Sequence, residues 1–203
     1  MNRDSGVTID LETGLVQPAV HRPSPNQDAR PADCAIDLVV LHGISLPPGA
    51  FGGPWVDRLF TNRLDPAAHP YFREIAHLRV SSHLFVGREG HIVQYVPLHR
   101  RAWHAGRSSH QGRPDCNDFS IGIEMEGTDE SAYTEAQYRT LDRLLPALMA
   151  VYPGIAADRI VGHCDVSPGR KTDPGPCFDW ERARRAVLSN RDHGREMTGD
   201  KAG

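Results

Sequence analysis

The sequence holds no CxxC pair, and its four cysteines, Cys34, Cys116, Cys164 and Cys177, are scattered along 203 residues. That excludes a zinc knuckle built on cysteine and is too sparse for a disulfide framework. No window approaches the roughly 18 consecutive apolar residues of a membrane span. The first residues, MNRDSGVTIDLETGLVQPA, carry no apolar stretch behind a basic start, so no signal peptide is expected there. A reducing, cytoplasmic setting follows as the expectation. Charge of one sign is also lacking: 23 Lys and Arg stand against 26 Asp and Glu, for a net charge of −3. Such a balance offers no field for nucleic acid or an anionic membrane, and neither partner is expected. No HExxH motif, internal repeat or low-complexity tract is present.

What is present is an ordinary globular balance, 39% hydrophobic and 24% charged, with histidine over-supplied at 11 residues. Residues 1–35 are polar and broken by prolines, most loop-like at HRPSPN (21–26). An extended arm over 1–23 is expected to wrap a domain over 24–188, and residues 189–203, without apolar periodicity, read as a flexible tail. Within the domain, IDLVVL (36–41) is a β-branched run typical of a strand buried on both faces, ending at His42. Pro54 opens a short helix, PWVDRLFTNRL. SSHLFV (81–86) and HIVQYV (91–96) flank GREG as a hairpin. FSIGIEME (119–126) alternates, with Phe119, Ile121, Ile123 and Met125 on one face and Ser120, Gly122, Glu124 and Glu126 on the other. Thr134 and Gln137 form a capping box ahead of Tyr138, Leu141, Leu145 and Leu148 at helical spacing, and Pro146 is expected to kink that helix. RIV (159–161) reads as a short strand, and Asp179 caps a last helix, WERARRAVL. This schedule gives an α/β (α+β) single domain around a central mixed sheet flanked by helices.

Chemistry concentrates in GHCDVSPGRKTDPGP (162–176), where the glycines and prolines exclude a helix and favour a stiff loop. His42 and His163 both follow short apolar strands and converge if those strands are neighbours. A catalytic zinc takes about three protein ligands and keeps one position open; the third could come from Asp165, Cys164 or Asp173. Glu124, rigidly held on a strand, could take a proton from water, where its plainer reading is a solvent-facing residue. Lys171 could place positive charge near a developing oxyanion or be an ordinary surface lysine. Cys164 reads as a buried, inert thiol, because neighbouring loop residues project in different directions.

The segments VVLHGISLPPGAFGGPW, DPAAHPYF, HLRVSSH, RAWHAG, CNDFSIGIEMEGTD and GHCDVSPGRKTDPGPCFDW together resemble the AmpD-type N-acetylmuramoyl-L-alanine amidases, zinc hydrolases of peptidoglycan recycling. The likeness runs from about Ser24 to Trp180. It implies the fold of type 2 amidases and peptidoglycan recognition proteins, zinc on His42, His163 and Asp173, Glu124 as the water-activating acid–base group, and Lys171 as the residue that stabilises the tetrahedral intermediate. It further implies Arg79 and Trp103 as groove residues that bind substrate. The implied reaction cleaves the amide between the lactyl group of 1,6-anhydro-N-acetylmuramic acid and L-alanine of the stem peptide, a small-molecule substrate, by a monomer in the cytoplasm. The alternative is a non-catalytic muropeptide-binding module of the same fold, but such modules often lack a zinc ligand that is present here. Two departures stand out. The family reads HNIS where this chain has His42-Gly43-Ile44-Ser45, and some members carry a basic residue where Asp115 precedes CNDFS.

Overall fold

The computed structural model describes residues 6–185 and Val187; the expected tail at 189–203 lies outside the described residues. Six strands form the central sheet: β1 (Val20–His21), β2 (Leu38–Ile44), β3 (Leu84–Val86), β4 (Ile92–Gln94), β5 (Ser120–Glu126) and β6 (Ile160–Gly162). They lie in the order β6-β2-β5-β3-β4-β1. Only β3 and β4, the expected hairpin, pair antiparallel; every other neighbouring pair is parallel. The sheet is therefore mixed, and helices α1 (Trp55–Phe60), α2 (Phe72–Ile75), α3 (Glu135–Val151) and α4 (His163–Val166) accompany it, which is the expected α/β class.

The parallel centre is buried on both faces, which is why β2 reads as an unbroken apolar run. On one face Val39, Leu41, Ile121, Ile123 and Met125 pack in a single cluster with Leu141, Leu144, Leu145 and Leu148 of α3. That helix starts at the capping box, with Thr134 Oγ1 accepting from Gln137 N–H and Gln137 Oε1 accepting from Thr134 N–H. The Gln137 amide also donates to the carbonyls of Val86 and Glu126, which ties α3 to the ends of β3 and β5. The helix continues through Pro146 rather than stopping there. Leu141 is fully buried; Leu141→Ala is expected to cost about 2–5 kcal/mol of unfolding free energy, read from urea denaturation.

On the opposite face Leu38 and Val40 pack with Ala105, Cys116, Phe119 and Val166, and this is the face that carries the site. The elements differ from the sequence expectation in several places: β3 and β4 are shorter than expected, and Phe119, which precedes β5, packs on the opposite face from Ile121, Ile123 and Met125. β2 runs past His42 to Ile44, because β5 pairs with it over that whole length. The polar face of β5 is not solvent-facing, since every residue from Ser120 to Glu126 is buried. α1 stops at Phe60, ahead of the expected Leu64. Residues 163–166 form one helical turn, α4, inside a stretch whose breakers argued for loop alone; the prolines and Gly169 all fall after it. Residues ahead of position 24 supply a hairpin, Thr8–Asp10 with Leu15–Gln17, and the edge strand β1. Asp179 Oδ1 accepts from Arg182 N–H at the start of the last helical stretch. Among the described residues no helix is long and apolar enough to cross a membrane.

Candidate active site

Register assembles the site. In the parallel ladder of β5 and β2, Glu124 is the direct partner of His42. Across the next pair Gly162 is level with Leu41, so His163, one residue further on, comes beside His42. Three neighbouring strands thus deliver three polar side chains to one place, as the convergence of the two histidines requires. Asp173 arrives through the loop, whose ends are clamped by the Cys164 N–H donating to the Asp173 carbonyl at 3.0 Å. Arg170 Nη2 braces the same loop by donating to the carbonyls of Ala105 and Arg107. Asp165 faces another way, with Oδ2 accepting from Gly162 N–H at 2.7 Å. Cys164 is half-buried rather than fully buried as expected, and that partial burial raises the pKa of its thiol.

Three atoms then face one another. His42 Nδ1 lies 3.0 Å from His163 Nδ1, His163 Nδ1 lies 3.0 Å from Asp173 Oδ2, and Asp173 Oδ2 lies 3.2 Å from His42 Nδ1. Glu124 Oε1 stands 4.0 Å from His42 Nδ1. Burial is the leading influence on His42, Glu124 and Asp173. It drives His42 down to about 4, against the carboxylate of Asp173, and so favours a neutral ring. It raises Glu124 well above the ordinary carboxyl range, aided by the negative charge of Asp173 and opposed by Lys171. At Asp173 burial also pushes upward, but the close imidazoles of His163 and His42 outweigh it and hold that carboxyl far below its usual value.

An open cleft of about 620 Å³ lies over this group. Lys171, exposed at its rim, and Trp103, half-buried, both line it. Arg79 does not: it is exposed, between the lining residues Leu78 and Val80, with its guanidinium donating to the carbonyls of His77 and Leu78. Asp115 is likewise exposed and outside the cleft wall. At Gly43 the space for a side chain is taken by the Tyr133 hydroxyl, 2.4 Å from where a Cβ would stand. That hydroxyl donates to the Pro174 carbonyl, next to Asp173. The absent side chain at 43 is thus matched by a tyrosine from a distant segment. Sequence reasoning passed over His104, a buried ring whose Nδ1 is 2.9 Å from His42 Nε2. Its signal was its place in RAWHAG beside the groove tryptophan.

The donor set suits a cation. His163 Nε2 is 3.2 Å from the Ala105 carbonyl, an obligate acceptor, so its proton resides there and Nδ1 presents a lone pair to the cluster. Two ring nitrogens and one carboxylate oxygen then form a triangle with edges of 3.0–3.2 Å, all acceptors once His42 also carries its proton on Nε2. Ligands held tetrahedrally at 2.0–2.1 Å from a zinc ion sit about 3.3 Å apart, close to these edges.

A helix-backed mixed sheet with an open cleft over its strand ends is the architecture of the type 2 amidases, a class of amide hydrolases. The model of the N-acetylmuramoyl-L-alanine amidase family matches residues 32–176. Over 177 residues the chain is 60% identical to the 1,6-anhydro-N-acetylmuramyl-L-alanine amidase AmpD of Escherichia coli K12, covering 87% of this chain and 96% of that one. A crystal structure of a Se-Met AmpD derivative superposes with a TM-score of 0.85 at 59% identity, over 88% of this chain and 98% of the other. AmpDh3 of Pseudomonas aeruginosa in complex with anhydromuramic pentapeptide superposes with a TM-score of 0.55 at 26% identity, over 83% and 69% of the two chains. The chain belongs to the N-acetylmuramoyl-L-alanine amidase family and is an amidase of the AmpD type.

Proposed function

We propose that this protein is a zinc-dependent amidase that releases the stem peptide from 1,6-anhydro-N-acetylmuramic acid, acting in cytoplasmic peptidoglycan recycling. The observation that carries the reading is the acceptor triangle of His42, His163 and Asp173 beside a buried Glu124, in a chain 60% identical to an amidase named for that substrate. The cytoplasmic setting rests on the resemblance and on the composition described above.

His42, His163 and Asp173 would hold the metal. Bound there, zinc supplies Lewis acidity toward the lactyl carbonyl and makes water acidic enough to ionise near neutral pH. Glu124 takes the proton of the attacking water and returns it to the amine of L-alanine as the C–N bond breaks. Its burial favours the protonated form, the one that must hand a proton to the leaving amine. Lys171, on the cleft wall, offers its ammonium to the oxyanion that develops on the carbonyl. The Trp103 indole packs on the sugar, and Arg79, outside the cleft wall between the lining residues Leu78 and Val80, would reach a stem-peptide carboxylate only by leaving the His77 and Leu78 carbonyls. Trp103→Ala is expected to lower kcat/KM about tenfold, chiefly through KM, in steady-state assays on anhydro-muropeptide, with zinc content unchanged.

Mass spectrometry after incubation with anhydro-muropeptide and, separately, with intact peptidoglycan tests the reading. Free stem peptide from the first substrate only is the expected result. Equal release from intact wall would overturn the recycling role, and release from neither would overturn the proposed activity.

A further inference from the structure

We propose that His104, with Ser120 behind it, is a positioning residue that fixes the tautomer of His42 and so aims the Nδ1 lone pair of His42 at the metal. The inference rests on the zinc reading given above. The order of protons can be followed from the far end. The Cys116 carbonyl can only accept, and it lies 2.5 Å from Ser120 Oγ, so the hydroxyl proton points to it. Ser120 Oγ is then left to accept from His104 Nε2, 3.1 Å away. With its proton on Nε2, a neutral His104 has Nδ1 as an acceptor, and the His42 Nε2–H fills it at 2.9 Å. His42 is thereby left with a bare Nδ1, the atom that faces His163 and Asp173. The reverse order would turn a lone pair of Ser120 against the Cys116 carbonyl.

The surroundings hold His104 to this task. Its ring lies flat against Gly122 of β5, where a Cβ would come within 2.5 Å of the ring, so any larger residue at 122 would displace it. Asn117 Oδ1 accepts from the backbone N–H groups of both His104 and Ala105. Ala105 in turn takes the Nε2 proton of His163 on its carbonyl. Two consecutive residues, clamped by one asparagine, therefore set the ring orientation of both histidines in the acceptor triangle. Groups of this kind behind a metal-binding histidine commonly govern affinity by 10–100-fold.

The test compares zinc dissociation constants, by competition with a chromophoric chelator, for the full chain and its His104→Leu and His104→Asn variants. The leucine keeps apolar volume and removes the acceptor; the asparagine restores an acceptor close to the place of Nδ1. Zinc binding about 10–100-fold weaker in His104→Leu, and within about threefold of wild type in His104→Asn, is expected. A role confined to packing would lower thermal stability in both and move neither constant in this pattern. Independently of whether the variants fold, ¹⁵N NMR of the histidine rings in the metal-free wild-type protein should show the His42 proton on Nε2. A proton on Nδ1, or a leucine variant that binds zinc as wild type does, would overturn the inference and leave the metal reading intact. Wild-type protein that takes up no zinc would overturn the metal reading and this inference with it.

Discussion

Glu124→Gln is expected to retain zinc and to lose about 10²–10⁴-fold in kcat, with KM little changed. The substitution preserves shape and removes only the capacity to accept and return a proton. Glu124 is 8% exposed, so bulk solvent cannot easily replace it as a proton carrier. It stands 4.0 Å from His42 Nδ1 and makes no contact that would identify it as a ligand of the same rank as Asp173. Steady-state kinetics with metal analysis on the same sample checks the pair of claims. Turnover within tenfold of wild type would remove Glu124 from proton transfer, and loss of metal would make it a ligand instead.

Asp173→Ala is expected to lose the metal as well: no stoichiometric zinc, and activity lower by about 10³-fold or more, since the metal supplies several kcal/mol of transition-state stabilisation. The carboxylate is the one anion in the triangle. Without it two buried, neutral imidazoles face each other at 3.0 Å, with little to offset the desolvation of a dication. Asp165→Ala is the matched control. Its carboxylate caps the Gly162 N–H, so its removal should cost about 1 kcal/mol of stability and leave zinc bound. Metal analysis by mass spectrometry separates the two; zinc lost from the Asp165 variant and kept in the Asp173 variant would exchange their roles.

That contrast marks where the sequence stopped being legible. Buried strands, the β3–β4 hairpin and the capped helix α3 were readable because each declares itself in local periodicity and turn chemistry. The pairing of Glu124 with His42 was not, since it depends on which strands lie next to each other across 82 positions of chain. Spacing alone left Asp165, Cys164 and Asp173 equivalent; only the loop closure from Cys164 N–H to the Asp173 carbonyl, and the use of Asp165 as a cap, separate them. Resemblance to known amidases supplied that choice ahead of the structure. The helical turn at His163–Val166 escaped because breakers were counted over the whole stretch, whereas all of them after Gly162 follow the turn. His104 went unread for a further reason. Its importance lies in which nitrogen carries a proton, a property of a hydrogen-bonded chain reaching from Cys116 to His42 that no single residue displays.

The most direct measurement is hydrolysis of anhydro-muropeptide by chelator-stripped protein titrated with zinc. Activity should be absent at the start, rise in proportion to bound metal and level off at about one zinc per chain, as one acceptor triangle requires. Full activity in protein shown to be free of metal would contradict the account.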